Sequence, residues 1–229
     1  MSVITALTAQ NTLGVQGIYE IPEDFIEKQF DSVATDIGID AAKTGMLATS
    51  RILKVVAKKI REYEIEKLVV DPVMVAKGGA PLIEKEAQNS LVEELVPLAL
   101  VITPNIPEAE VLSKIGISSV DDMKKSAEII YGLGVKNVVI KGGHLTGDAI
   151  DILYDGKNFH EFTSERIDTS DTHGTGCTYS AAIATELAKG ESVFEAVKKA
   201  KEYITTAVRF SLRIGGGHGP TNHLAPILQ

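Results

Sequence analysis

The chain has 229 residues, 44% of them hydrophobic and 24% charged, and a formal net charge of −8. That length holds one large or two small packed domains, and the acidity argues against a nucleic-acid partner, which usually meets a basic face. One cysteine excludes an intramolecular disulfide framework and a cysteine-based zinc cluster. With no signal peptide and no bilayer-length apolar run, the sequence points to a cytoplasmic protein without a membrane partner.

Ser2-Val-Ile-Thr-Ala-Leu7 reads as a buried strand of β-branched and apolar residues. Thr8 to Thr12 follows as a polar patch, in which Gln10 and Asn11 can both donate and accept. A ligand contact at a strand end and a turn satisfying its own backbone are equally open readings of it. Pro22 opens a helix that carries Phe25, Ile26, Phe30 and Val33 roughly on one face. Ala41 to Leu47 is a short strand ending in a glycine turn. Ser50 is placed to cap a helix over Arg51–Glu62, with an apolar stripe of Ile52, Leu53, Val56 and Ile60.

Lys67-Leu-Val-Val-Asp71 is a buried parallel-type strand ending in an acid, and Pro72 stops its ladder. Lys77–Pro81 reads as a flexible loop, Glu86–Val96 as a helix ended by Pro97, and Leu98–Ile102 as the next strand. Helices follow from Thr103-Pro-Asn-Ile-Pro-Glu108 through Leu112 and from Val120 to Tyr131. Asn137–Ile140 is a strand with the loop Lys141-Gly-Gly-His144 after it. Ala149–Tyr154 and Asn158–Phe162 form a hairpin turning on Asp155-Gly156. The last long helix spans Val193–Leu212, and Gly215–Pro220 reads as a flexible tail. Strands alternating with helices predict a mostly parallel α/β sheet, covered on both faces, with a late β-hairpin.

In such a sheet Asp71, Asn105 with Glu108, Lys141 and the loop Asp171-Thr-His-Gly-Thr-Gly-Cys177 all emerge on one edge. Gly174 and Gly176 open a helix, whose free N–H groups and dipole favour an anion. Acids and an amide to hold Mg²⁺, a lysine for phosphate and an anion nest together suit phosphoryl transfer from a metal–nucleotide complex. Each part also has a plainer reading. Asp71-Pro72 is a strand-ending turn, Asn105 caps its helix with Glu108 completing the box, and Lys141 is a solvated loop lysine. Cys177 at the helix start is expected to have a lowered thiol pKa and to serve as a base. His173 is the rival base or, more plainly, a residue holding the turn.

The runs Ser2–Thr12, Lys43-Thr-Gly-Met-Leu47, Asp71-Pro-Val-Met74, Thr103–Glu108, Lys141–His144, Thr172-His-Gly-Thr-Gly-Cys177 and Gly217-His-Gly-Pro220 resemble the hydroxymethylpyrimidine/phosphomethylpyrimidine kinase family of the ribokinase-like superfamily. The resemblance implies a three-layer α/β/α fold over 1–229 as a single kinase domain. It implies ATP and Mg²⁺ as cofactors, an aminopyrimidine as small-molecule substrate, and a homodimer. By motif, Gln10 holds the aminopyrimidine, Met46 and Val73 wall its pocket, and Gly174, Thr175 and Gly176 form the anion hole. Cys177 stands where related sugar kinases carry an aspartate base. Lys141, Asn105 and Thr172 face the nucleotide, and Glu108, Asn105 and Asp71 organise the metal. The family pattern also begins about 30–35 residues before Met1, with a strand, a Gly-rich loop and a helix that help bind substrate. Pyridoxal kinase is the nearest rival activity; a nucleotide-binding protein with impaired catalysis and a nucleotide-independent sugar-binding protein are the non-kinase readings.

Overall fold

The computed structural model describes residues 1–75, 82–143 and 147–228. The expected loop at Lys77–Pro81 and His144 of the Lys141–His144 run lie outside the described residues.

The chain begins with a two-stranded antiparallel ribbon, β1 (Ala6–Asn11) and β2 (Gly14–Glu20), with a bulge at Ala9–Gln10. The buried strand expected over Ser2–Leu7 is therefore corrected. The strand starts later, pairs only with β2 and is solvent-facing, with Leu7 and Tyr19 both exposed. The central sheet begins further on, so Gln10 and Asn11 lie within this ribbon rather than at a sheet edge. Asn11 Oδ1 accepts from the amides of Leu13 and Gly14, the turn reading of the polar patch.

Helix α1 (Glu23–Asp36) buries Ile26 but leaves Phe25 exposed, against the expectation that both face the core. After β3 (Ala42–Thr44), α2 (Ser50–Glu62) is capped by Thr49, not Ser50; the Thr49 hydroxyl accepts from Ile52 N. The cap moves because Ser50 already has helical backbone, and its hydroxyl bonds Ser90 instead. After β4 (Leu68–Val70), the helix expected over Glu86–Val96 is broken. A short α3 (Lys85–Ser90) gives way to a π turn over Leu91–Leu95 and a 3₁₀ turn over Val96–Leu98. Pro97 has no N–H to continue an α ladder and sits in the first turn of that 3₁₀ segment.

The chain continues through β5 (Val101–Ile102), α4 (Ile106–Ser113), α5 (Val120–Tyr131), β6 (Val138–Ile140), β7 (Ala149–Tyr154) and β8 (Phe159–Ser164). It ends with α6 (Thr175–Ala188), α7 (Val193–Arg209) and the short α8 (Ala225–Leu228). The six-stranded sheet has the order β3-β4-β5-β6-β7-β8. Its first four strands are parallel and the closing hairpin is antiparallel, as the sequence predicts.

The strands are apolar throughout because both faces are covered. Val69, Val101, Val139 and Leu153 pack under α6 and α7 against Ile183, Leu187 and Val197. Leu68, Val70, Ile102, Val138 and Ile140 point the other way, onto Leu53, Val56, Met123 and Ile130 of α2 and α5. Each such side chain contributes about 1.5–3 kcal/mol on burial. The two cores hold the C-terminal ends of β3–β6 and the start of α6 in one place.

The expected flexible tail is pinned. The Gly217 amide donates to Thr12 Oγ1 (3.3 Å) and the His218 amide to Thr12 O (2.9 Å). Gly219 N donates to Asp171 Oδ1 (3.1 Å), and the His173 backbone bonds Gly219 O and Thr221 N. Glycine is required here by close approach: a Cβ on Gly217 would lie 2.1 Å from Thr12 O. The tail ties the ribbon's turn to the loop before α6.

Candidate active site

Helix α6 starts from Gly174, whose φ of 81° is the left-handed conformation that glycine adopts at no steric cost. No side chain caps this end. The Thr175 amide and hydroxyl both turn back to Thr172 O. Gly174 N, just before the helix, and Gly176 N and Cys177 N, in its first turn, find no acceptor among the described residues. Of the expected Gly174–Gly176 nest the Gly174 and Gly176 amides are open, the Thr175 amide is closed on Thr172, and the Cys177 amide joins the open ones. Thr172 takes part through its carbonyl.

Lys141 lies beside them. A Cβ on Gly176 would stand 3.1 Å from Lys141 Nζ and 3.8 Å from Asp71 Oδ2, so glycine lets the lysine approach the helix start. Lys141 Nζ donates to Asp71 Oδ1 at 2.9 Å. Asp71 also accepts from Thr103 Oγ1 and from Ser180 Oγ, each at 3.3 Å. Burial works against the Lys141 ammonium, but Asp71 and then Glu108 outweigh it and its pKa is raised. The lysine stays charged, and it is not the solvated loop residue of the plainer reading.

Asn105 and Glu108 make a reciprocal capping box at the start of α4. Asn105 N donates to Glu108 Oε2 (2.8 Å) and Glu108 N to Asn105 Oδ1 (2.9 Å). The structural reading of this pair is realised. Burial raises the Glu108 carboxyl to about 6; Lys141 pulls it down and Asp71 pushes it up again. Among the described residues no group of three or more His, Cys, Asp and Glu side chains is arranged to hold a metal ion. Asp71 and Glu108 nevertheless act on the same lysine. Two carboxylates are a donor set that suits Mg²⁺, which keeps several waters and relies on substrate phosphates rather than a protein cage. The side-chain oxygen of Asn105 is taken up by its cap.

Cys177 is exposed to the cleft, yet its thiol is pushed up from the ordinary value rather than lowered. At a cleft floor solvent touches the residue while protein fills most of the surroundings, and that burial is the largest influence. Lys43 pulls the thiol down, Asp71 pushes it up, and Lys141 pulls down less than Lys43 does. This desolvation outweighs the pull of the helix start on the thiol. The rival base His173 is held by its backbone on both sides, to Gly219 and Thr221, the turn-holding role. An open groove of about 680 Å³ leads away from Cys177, lined by Thr178, Ala181, Lys199, Tyr203 and His223. His223 Nε2 lies 2.9 Å from Thr178 Oγ1.

The other expected residues are less gathered. Met46 is half-buried and its carbonyl accepts from Thr5 Oγ1 (3.0 Å), at the root of the ribbon. Val73 is half-buried just after Asp71, to whose carbonyl its amide donates (2.8 Å). Gln10 is exposed on β1, and among the described residues its one side-chain hydrogen bond is accepted from Thr8 Oγ1 on the same strand.

Sequence reasoning missed Lys43, Thr103 and Ser180 as site residues, and the buried pair Lys201–Asp151 (2.8 Å), whose carboxylate also accepts from Gly142 N (3.0 Å). A lysine within a short strand of a two-face-covered sheet was the available signal for Lys43.

The family model described as Phosphomethylpyrimidine kinase matches residues 1–222. The thiamine biosynthesis bifunctional protein of Geobacter sulfurreducens is 52% identical over 224 residues, covering 97% of this chain and 46% of that protein. The hydroxymethylpyrimidine/phosphomethylpyrimidine kinase of Bacillus subtilis is 48% identical over 227 residues, covering 98% and 84%. An ADP complex of Bacillus subtilis pyridoxal kinase superposes with a TM-score of 0.93 at 43% identity, over 100% of this chain and 88% of that one. The ribokinase-like fold expected from the motifs is thereby borne out. The chain belongs to the phosphomethylpyrimidine kinase family of phosphotransferases.

Proposed function

We propose that the chain is a single kinase domain that transfers the γ-phosphoryl group of ATP to the hydroxymethyl group of 4-amino-5-hydroxymethyl-2-methylpyrimidine, and then to the monophosphate so formed. The observation that carries this reading is the start of α6, where three amides unpartnered among the described residues, a thiol and the Lys141–Asp71 pair meet. The Cys177 thiolate takes the hydroxyl proton as the alcohol oxygen attacks phosphorus. The Gly174, Gly176 and Cys177 amides and Lys141 stabilise charge on the transferred group. Glu108 and Asp71 would hold Mg²⁺, directly or through water, and the ion would neutralise nucleotide phosphate charge. Met46 and Val73 wall the ring, Gln10 reads its amino group, and Asn105 and Thr172 border the nucleotide. The ADP complex of the pyridoxal kinase relative supports a nucleotide in this cleft.

Exposed Leu7, Leu13, Ile18 and Tyr19 on the ribbon support a homodimer. Among the described residues no helix is long and apolar enough to cross a membrane, which supports the cytoplasmic assignment.

The test is ADP release with the aminopyrimidine and with pyridoxal as acceptors, with and without Mg²⁺. Turnover on the aminopyrimidine and its monophosphate is expected. Turnover on pyridoxal alone would replace this reading with the vitamin kinase of the structural relative.

A further inference from the structure

Lys43 is the second lysine of the cleft. It lies on β3, the edge strand of the central sheet, in register with Val69. Its side chain folds over the next turn, and a Cβ on Gly45 would stand 2.8 Å from Lys43 Nζ. Gly45 thus clears the space that the ammonium occupies, and Met46 follows it directly. Among the described residues Lys43 has no carboxylate partner, whereas Lys141 is held by Asp71. Lys43 is also the strongest electrostatic influence on the Cys177 thiol, ahead of Lys141. The half-buried Lys43, without a carboxylate partner among the described residues, therefore lies over Gly45, beside the proposed ring wall at Met46, and acts on the thiol at the proposed transfer point.

The two proposed transfers make different demands. In the first, the acceptor is a neutral alcohol. Its oxygen bonds to the γ-phosphorus, the bond to the bridging oxygen breaks with its electron pair leaving on the nucleoside diphosphate, and the hydroxyl proton goes to the thiolate. In the second, a phosphate oxygen of the monophosphate makes the same bond and the same leaving group departs. That oxygen arrives deprotonated, so no proton needs a base. A phosphate monoester instead brings about −1.5 to −2 charge to a site already facing a triphosphate. Lys141 is paired with Asp71 and already serves the transferred group, whereas among the described residues Lys43 has no carboxylate partner and is open to offset that charge.

We propose that Lys43 is the specificity residue for the second transfer, binding the phosphate of the monophosphorylated acceptor. The inference rests on the two-step kinase reading above.

The experiment measures kcat/KM for the alcohol and for the monophosphate separately in the wild type, Lys43→Met and Lys43→Arg, with calorimetry of inorganic phosphate binding to each. Loss of a charge-assisted contact predicts that Lys43→Met falls about 10- to 100-fold further on the monophosphate than on the alcohol. Lys43→Arg should recover part of that gap. Equal losses on both acceptors would overturn the proposal; a larger loss on the alcohol would overturn it and assign Lys43 to tuning the thiol; no loss on either would also overturn it. If the wild type phosphorylates neither pyrimidine, the kinase reading fails, and calorimetry decides on Lys43 by itself. Phosphate binding lost in Lys43→Met upholds the anion site, and binding retained rejects it.

Discussion

Lys141 and Asp71 form an ion pair of 2.9 Å in which the carboxylate is the more buried partner, 2% exposed against 14% for the lysine side chain. The pair joins the ends of β4 and β6, and Asp71 reaches α6 through Ser180. Removing one member of a buried pair leaves the other unpaired in a poor solvent, at a cost of about 3–5 kcal/mol. Asp71→Asn is therefore expected to lower the free energy of unfolding in urea by that order and to abolish phosphoryl transfer. The double variant Asp71→Asn/Lys141→Met is expected to be less destabilised than the sum of the single changes. Strict additivity in that cycle would show that the two charges do not support each other.

Glu108 gives a pH dependence of stability with a definite sign. Its carboxyl is raised from 4.5 to about 6 in the folded protein, chiefly by burial. Below the unfolded value both states are protonated, and the neutral acid costs nothing. Between about 4.5 and 6 the folded state holds the proton more tightly, so stability falls as pH rises, and it levels off above. The span amounts to roughly 2 kcal/mol. Unfolding of metal-free protein across this window should show that decline, and Glu108→Gln, which can still complete the capping box, should flatten it. A slope of the same size in Glu108→Gln would assign the effect to another group.

What the sequence disclosed and what it hid have physical causes. Leu68–Val70 and Val138–Ile140 are unbroken apolar runs, which only strands covered on both faces need, so the sheet and its active edge were readable. Asp71 and Lys141 follow such runs directly and Asn105 comes just past the end of another, and strand direction alone brings them to one edge. The ribbon was not readable. Gly14–Glu20 contains two glycines and packs on no helix layer, so it lacks a periodic apolar face. Ser180 meets Asp71 across 109 residues and Lys201 meets Asp151 across 50, pairings that exist only once α6 and α7 have docked. The Cys177 thiol was misjudged for a related reason. The helix start is visible in sequence, while the protein that crowds the thiol comes from strands far away in the chain.

The pinned tail is tested by two neighbouring glycines. A Cβ on Gly219 would lie 2.3 Å from Asp171 Oδ1 and 2.9 Å from Leu212 O, so Gly219→Ala must displace backbone. Overpacking of this kind costs about 1–3 kcal/mol. A Cβ on Gly216 meets only Leu13 Cδ2, at 3.9 Å, an ordinary contact. Thermal unfolding should therefore separate Gly219→Ala, with a lowered Tm, from Gly216→Ala, near wild type. Because Gly219 O accepts from His173 N, activity should fall in Gly219→Ala as well. Equal Tm values for the two variants would mean that the tail does not hold the loop before α6.

The role of Cys177 is decided by the shape of a pH–rate profile. Its thiol is pushed above the ordinary value, so at neutral pH little of it is thiolate. If that thiolate is the base for the alcohol, kcat for the first transfer must climb with pH through and beyond the usual thiol range near ~8.5. Cys177→Ser should lower kcat by about 10²–10⁴-fold and remove that climb. Cys177→Asp supplies a base with a far lower pKa, so its profile should level off several pH units earlier, whatever its absolute rate. The second transfer, whose acceptor oxygen needs no deprotonation, should be less sensitive to Cys177→Ser than the first. A profile for the first transfer that stays the same in wild type, Cys177→Ser and Cys177→Asp would remove the thiol from the reaction. The Gly174, Gly176 and Cys177 amides would then be left as the contribution of the α6 start.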